Sequence, residues 1–331
     1  MIYKFKIFFA LIFLFPNLYS ETLSVMTFNV QNLFDTTNDP YKDDKAFLPI
    51  KEKLSEKHKK ECNKIYVKSW RLECLYLDWN QETKDAKLNN IFKNIISFGE
   101  SGPDLIALQE VENNNILRQL FFLLKPYGYI DYKLLENSDK RGIDNAYISK
   151  YKIFNPKLHY VKFSSKFQRK DTRPIFEATL KINESMIRIY NAHFPSNYYD
   201  LQMRIESFDA LNKLHNSHSH PSIALGDFNI SSKDDVKHNV YKNQSKDWVI
   251  AHLEGCNSCD GTYFYNSEKS WSYLDTIFIS RDRGISFDEK SIQIHKTNFN
   301  TYKNTGKPFR FDAKSKEGVS DHFAMVAKIN I

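Results

Sequence analysis

Short apolar runs of strand length recur along this chain, and helical spacings lie between them. Leu23-Ser24-Val25-Met26-Thr27-Phe28 is half alternating and predicts a strand that runs out at Asn29. Leu88, Ile91, Ile95 and Phe98 recur at spacings of 3, 4 and 3, which predicts an amphipathic helix over 81–98, stopped by Gly99 and Gly102-Pro103. The run at 105–108 predicts a buried strand that delivers Gln109-Glu110, with a helix over 113–124 behind it. Arg141-Gly142-Ile143-Asp144 enters the next strand. Further strands are predicted at 175–180, after Arg173-Pro174, and at 186–190, which ends in Asn191-Ala192-His193. Leu201, Ile205, Phe208, Leu211 and Leu214 mark another helix. It leads to Ile223-Ala224-Leu225, which stops at Gly226 and hands over to Asp227-Phe228-Asn229. A strand over 271–279 carries Asp275 near its start, and Ser320-Asp321-His322 precedes the last strand, 323–329.

Two stretches stand outside this pattern. Residues 1–20 have Lys4 and Lys6, then an unbroken apolar run at 7–15, then a small residue at Ser20, which reads as a signal peptide. That run is far shorter than the roughly 20 residues a membrane span needs. No Cys lies at the cut, so no stable membrane anchor is expected and the product is secreted or periplasmic. Residues 35–80 are polar, Lys-rich and irregular, and predict an insertion over the core. Its run of Lys51, Lys53, Lys57, Lys59 and Lys60 reads as a solvated helix face.

The 331 residues are 41% hydrophobic and 15% aromatic, enough for a large core, with no long Pro/Gly/Ser linker and no internal repeat visible. One domain over 21–331 and a monomer are expected. Without the leader lysines the net charge falls from +7 to about +5, compatible with a phosphate-rich substrate without requiring one. Four cysteines behind a leader favour disulfides, locally Cys62 with Cys74 and Cys256 with Cys259, although the other two pairings are open. Zinc at the C-x-x-C is the weaker reading, since no histidine spacing matches it.

One device repeats. Strand after strand ends or begins with a polar side chain able to do chemistry: Asn29, Glu110, Asp144, His193, Asp227, Asn229, Asp275, Asp321 and His322. Each alone reads as a turn or cap residue; nine at strand ends do not. Carboxylates and amides without thiolates suit a hard cation, Mg²⁺ or Mn²⁺. Two histidines beside them suit proton transfer near neutral pH. Together they suit hydrolysis at phosphorus.

At these residues the chain resembles the endonuclease/exonuclease/phosphatase superfamily, the DNase I-like hydrolases. The resemblance rests on Thr27-Phe28-Asn29-Val30, Leu108-Gln109-Glu110-Val111, Asn191-Ala192-His193, Gly226-Asp227-Phe228-Asn229, Leu274-Asp275-Thr276-Ile277 and Ser320-Asp321-His322, in that order across 22–331. It implies an α/β (α+β) four-layer sandwich: two packed, mainly antiparallel sheets flanked by helices, with the site where the sheets open at one end. It also implies roles. Glu110 is the principal metal ligand, with Asn29 and Asp321 near the metal or its waters. Asp227 and Asn229 orient the attacking water and the phosphate. His322, held by Asp275, contacts phosphate or moves a proton; His193 does so from the other side, with Asp144 orienting it. Arg173 binds a phosphate oxygen through its fork of donors. Some members carry an acid two residues after the first Asn; Gln31 stands there in this chain, so a second metal is not implied.

The same scaffold serves nucleases, inositol-phosphate phosphatases and sphingomyelinases. The loop over 302–316 carries Tyr302, Lys303, Lys307, Phe309, Arg310, Phe311, Lys314 and Lys316, a mixture suited to a nucleic acid as readily as to a plain surface loop. Gly261-Thr262-Tyr263-Phe264-Tyr265 reads as a strand beside the C-x-x-C rather than a membrane hairpin. The expectation is a metal-dependent phosphodiesterase, an endonuclease on DNA or RNA. The alternatives are a hydrolase of small phosphoesters or lipids, sphingomyelinase-like, and an inactive binding module. His215, His218 and His220 read as a solvated helix-to-strand connection rather than a metal site.

Overall fold

The structure is a computed structural model that describes residues 21–168, 172–256 and 258–331. The leader expected over 1–20 lies outside the described residues. In chain order the strands are β1 (Thr22–Leu33), β2 (Leu105–Val111), β3 (Asp131–Leu134), β4 (Asp144–Ser149), β5 (Ile153–His159), β6 (Ile175–Ile182) and β7 (Ser185–His193). They continue with β8 (Ser222–Asp227), β9 (Trp248–Ile250), β10 (Tyr263–Tyr265), β11 (Ser270–Ser272), β12 (Asp275–Ser280), β13 (Ser286–His295) and β14 (Ala324–Asn330). The main helices are α1 (Glu56–Cys62), α2 (Lys68–Tyr76), α3 (Gln81–Ile96), α4 (Asn114–Leu124) and α5 (Leu201–His215).

Two six-stranded sheets form, β13-β14-β1-β2-β4-β3 and β5-β6-β7-β8-β12-β9. Each has a single parallel pair at its centre, β1 with β2 and β7 with β8; the other pairings are antiparallel. A parallel pair needs a crossover, and α3 or α5 lies in each one. The two halves therefore repeat one topology, although no repeat shows in the sequence. Topology is carried by the spacing of apolar positions, which many side chains satisfy.

Alternation explains why the central strands read as unbroken apolar runs. Leu105 and Ala107 face the other sheet, in a core with Ile187, Ile189, Ile223 and Leu225. Ile106 and Leu108 face the opposite way, against Leu88, Ile91 and Ile95 of α3 and Leu117 and Leu120 of α4. On the far side, Phe208 and Leu211 of α5 cover Tyr190, Ala192 and Ala224. Covered on both faces, such strands are apolar throughout. The result is the four-layer sandwich that the motifs imply. Asn80 starts α3, its side chain accepting from Thr83 N at 3.0 Å, and the helix ends at Ile96, two residues short of the expected 98.

The stretch over 35–80 carries α1 and α2, clipped together by the Cys62–Cys74 disulfide. The Lys face is not wholly solvated. Lys53 is 2% exposed, and its ammonium donates to Ala46 O, Leu77 O and Glu73 O at 2.7, 2.7 and 3.3 Å. It gathers three backbone carbonyls at a turn and a helix end, of which Glu73 O also accepts from Leu77 N. Cys256 and Cys259 are bonded to each other, so no thiolate remains there for zinc. Tyr263-Phe264-Tyr265 is β10, paired with β11 as a ribbon. The His215 connection is less solvated than its composition suggests. His215 is buried against Trp248, with ring centroids 4.2 Å apart, and His218 meets Tyr190 Oη at 2.8 Å; only His220 is exposed. Among the described residues no helix is long and apolar enough to cross a membrane.

Candidate active site

The polar strand ends converge because of register. In the second sheet His193 pairs with Asp227, and Asp227 pairs with Asp275, so three adjacent strands place these residues on one row. Gly226 makes the row possible: a Cβ there would stand 2.2 Å from Ala192 O, so any side chain would push β7 and β8 apart. In the first sheet Asn29 pairs with Gln109, and the ladder shifts register beyond it. The strand bulges at Glu110, whose φ is 66°, and the side chain leaves the alternation. Gln31, Asn32 and Asn229 also have positive φ. Left-handed backbone suits Asn better than Glu, so the conformation of Glu110 is a strained one held by its surroundings.

Side chains tie the two sheets together at this end. Asn29 Nδ2 donates to Asp227 Oδ2 at 3.0 Å. Ser320 Oγ donates to Asn29 O at 2.7 Å, and Asp321 N donates to Gln31 Oε1 at 3.1 Å, which fixes the segment that carries His322. Asn32 N donates to Glu110 Oε2 at 3.0 Å. Asn229 Nδ2 and Arg173 Nη2 both donate to Phe194 O at 3.0 Å, and Asn229 N donates to Asp227 Oδ1 at 3.0 Å.

Proton positions follow from these partners. His322 Nδ1 lies 2.7 Å from Asp275 Oδ2. Burial pulls the His322 pKa down, but the charge and hydrogen bond of Asp275, with Asp227 and Asp321 behind them, outweigh it and push the pKa up to about 10. His322 is therefore protonated at neutral pH. Burial, then the charge of Asp275, pushes Asp227 up to about 7 against the pull of His322 and the Asn29 hydrogen bond. His193 Nε2 lies 3.6 Å from Asp227 Oδ2 and 3.9 Å from Glu110 Oε1. Burial, with the charges of Arg173, Arg141 and His322, holds its pKa well below the usual value, so this ring is neutral. Burial also acts to raise Glu110, but Arg141, His322 and Arg173 outweigh it, and the carboxyl stays ionised.

The expected Asp144 bond to His193 is not formed. Asp144 Oδ1 accepts from Asn137 N at 2.8 Å, which turns the carboxyl into the 137–144 loop, and burial pushes its pKa up to about 8. His193 Nδ1 is buried and has no hydrogen-bond partner among the described residues. Arg173 keeps one arm on Phe194 O and another 3.5 Å from Asp139, and its Nε has no partner among the described residues. Arg141 belongs to the site without having been singled out. Its Nη2 donates to Asn32 Oδ1 at 3.0 Å and lies 3.7 Å from Glu110 Oε1. The only signal for it was its place at the entry to β4, beside Gly142.

A divalent cation fits the donor set. Glu110 is ionised, and among the described residues its Oε1 has only the long contacts to Arg141 and His193. Among the described residues Asn29 Oδ1 accepts only from Gln31 N, and Asp275 Oδ1 is buried without a partner. All are oxygen donors, which hard cations prefer. Asp227, Asp275 and His322 bring ligand atoms within 4.8 Å of one another. A protonated His322 has no lone pair to offer, so this trio holds protons better than metal. His58, Cys62 and Cys74 also gather, but both sulfurs are in the disulfide.

The family model described as "Endonuclease/Exonuclease/phosphatase family" matches residues 26–322. A sequence search of curated proteins finds no match. Among solved structures, an endonuclease/exonuclease/phosphatase family protein from Bacteroides thetaiotaomicron is similar at 16% identity and a TM-score of 0.57, covering 93% of this chain and 97% of that one. A mannosyl-6-phosphatase of the same organism shows 16% identity and 0.56, covering 93% and 100%. A humanized D. rerio TDP2 shows 11% and 0.56, covering 94% and 99%. At these identities the likeness shows the fold.

Proposed function

This chain belongs to the endonuclease/exonuclease/phosphatase family, and on that premise we propose that it is a metal-dependent phosphodiesterase that cuts nucleic acid within the strand. The observation that carries the reading is the pairing of a protonated His322, 2.7 Å from Asp275, with an Asp227 carboxyl whose pKa is about 7, both beside an ionised Glu110. That is an acid and a base poised at neutral pH next to a hard-cation ligand.

Glu110 would hold Mg²⁺ or Mn²⁺, with Asn29 and Asp321 near it. When bound, the cation supplies charge neutralisation at the phosphoryl oxygens. Asp227 accepts the proton of the attacking water, which Asn229 helps to orient. His322 donates a hydrogen bond, and then its proton, on the side of the departing oxygen. The neutral His193 and Arg173 face the non-bridging oxygens. Asp275 keeps the His322 ring in place and charged. Asp144 supports this region from the 137–144 loop without touching His193.

The leader-like residues 1–20 and the two disulfides support export to an oxidising compartment, and the acting species would be the monomer. Small phosphoesters are the second reading, supported by the fold likeness to the mannosyl-6-phosphatase. Purified protein is tested on plasmid DNA, RNA and a generic phosphodiester with Mg²⁺, Mn²⁺ or EDTA, beside Glu110→Ala. Metal-dependent nicking absent from the variant is expected. Turnover of the small ester alone moves the protein to the second reading, and nicking that persists in EDTA sinks the first.

A further inference from the structure

Beside Glu110 the surface opens into a cleft of about 290 Å³, walled on one side by the 35–80 insertion and on the other by the loop before His322. Asn32 lies between the two sites: its backbone N–H serves Glu110, and its side chain lines the cleft. Phe47, Trp79 and Phe311 give the cleft an aromatic wall, with ring centroids 5.3 Å apart for Phe47 and Trp79 and 5.9 Å for Trp79 and Phe311. Phe47 and Phe311 are only partly buried, so ring surface is left for a ligand. The ammonium of Lys87, 1% exposed, sits 5.2 Å from the centre of the Phe311 ring and donates to Val319 O. Arg310 stands at the rim, its side chain 55% exposed, with a 3.8 Å contact to Glu73 as its ion pair.

The hydrogen-bonding groups have a direction. The amide oxygens of Gln31 and Asn32 are taken by Asp321 N and Arg141 Nη2, which leaves their NH₂ groups to offer. The carboxylates of Glu73 and Asp312 line the other side as acceptors, Asp312 through Oδ2, since its Oδ1 accepts from Lys314 N and Ser315 N. Aromatic faces with donors on one side and acceptors on the other match a flat heterocycle with a mixed edge, not an acyl chain. The volume lies at the low end for small-molecule sites, which suits one such unit rather than a length of duplex. We infer that this cleft binds a single nucleobase, that of the nucleoside next to the scissile phosphate, stacked against Phe311 and Phe47 and flanked by Arg310. The inference rests on the phosphodiesterase reading for its orientation, with the phosphate at Glu110, but binding can be measured without turnover.

Adenosine 5′-monophosphate and ribose 5-phosphate are titrated by calorimetry into the wild-type protein and into Arg310→Ala, Phe311→Leu and Glu110→Ala, with Mg²⁺ present. The nucleotide should bind the wild type about tenfold more tightly than the sugar phosphate, the scale of one stacked base. That preference should collapse in Arg310→Ala and Phe311→Leu and persist in Glu110→Ala. Equal affinities in the wild type overturn the inference, as does a preference that survives both cleft variants. Thermal melting identifies any variant that fails to fold, and exposed Arg310 keeps the test open if Phe311→Leu does. A wild type that prefers the nucleotide yet hydrolyses nothing sinks the phosphodiesterase reading and leaves the cleft assignment standing.

Discussion

Asn29 and Asp227 lie 198 positions apart and close the two sheets onto each other through one 3.0 Å hydrogen bond. The bond also lowers the Asp227 pKa, opposing burial. Asn29→Leu removes the donor while keeping the volume. The Asp227 pKa should then climb above about 7, so activity falls most at neutral pH and recovers partly above it. Stability should drop by about 1–3 kcal/mol, the usual scale for a buried acceptor that loses its partner. A pH–rate profile checks this, and an unmoved acidic limb would show that Asp227 is not the base.

The contact between His322 and Asp275 supplies a second prediction. Asp275→Asn keeps the shape but removes the charge that outweighs burial, so the His322 pKa falls from about 10. Its proton, present through neutral pH in the wild type, is then lost within the working range. The alkaline limb of kcat should move down, and turnover at pH 8 should fall about a hundredfold, the scale of a lost general acid. Imidazole NMR shifts report the pKa directly; a His322 that titrates unchanged would refute the account.

Glu110 combines a φ of 66° with the proposed role of cation ligand. Glycine relieves such backbone at no steric cost, whereas alanine does not. Glu110→Gly should therefore be more stable than Glu110→Ala by about 1 kcal/mol, with both inactive. Urea denaturation measures the difference. Equal stability would mean that the bulge is not strained.

Acid should loosen the fold through two histidines outside the polar cluster, the buried His215 and the half-buried His252. Burial lowers His252 from 6.5 to about 3, and burial followed by the charge of Arg283 lowers His215 to about 4. Both are neutral when folded, so their contribution is complete above 6.5 and is lost as pH falls through 6.5 toward those lower values. The melting temperature should fall between pH 7 and pH 4. In His252→Gln the fall should be shallower, and an identical slope would exclude His252 as a source.

The strands and the candidate site residues at their ends are legible because burial on two faces writes itself as apolar runs, and a polar residue at the end of such a run stands out. Asn29, Glu110, His193, Asp227, Asp275 and His322 were all visible in this way. Partners were less so. Asp144 sits at a strand entry like the others, but whether it meets His193 depends on which way one loop turns its carboxyl. Lys53 and Lys87 look like surface charges, because the carbonyls that hold them are backbone groups with no signature in the side-chain pattern. The cleft wall at Phe47 and Trp79 was hidden for a related reason: the insertion is polar on average, and its few aromatic residues cluster only in space.

The hydrogen bond from Ser320 to Asn29 spans 291 positions, and β14 is the partner that β1 must await. During synthesis, then, Asn29, Glu110, His193, Asp227 and Asp275 all emerge before the segment that carries His322. An unfinished chain holds the proposed cation ligand and the proposed base but not the proposed acid, and one edge of β1 has no neighbour. On the proposed reading, a nuclease site would thereby stay incomplete, and the ribosome and message that make it unharmed, until translation is all but complete.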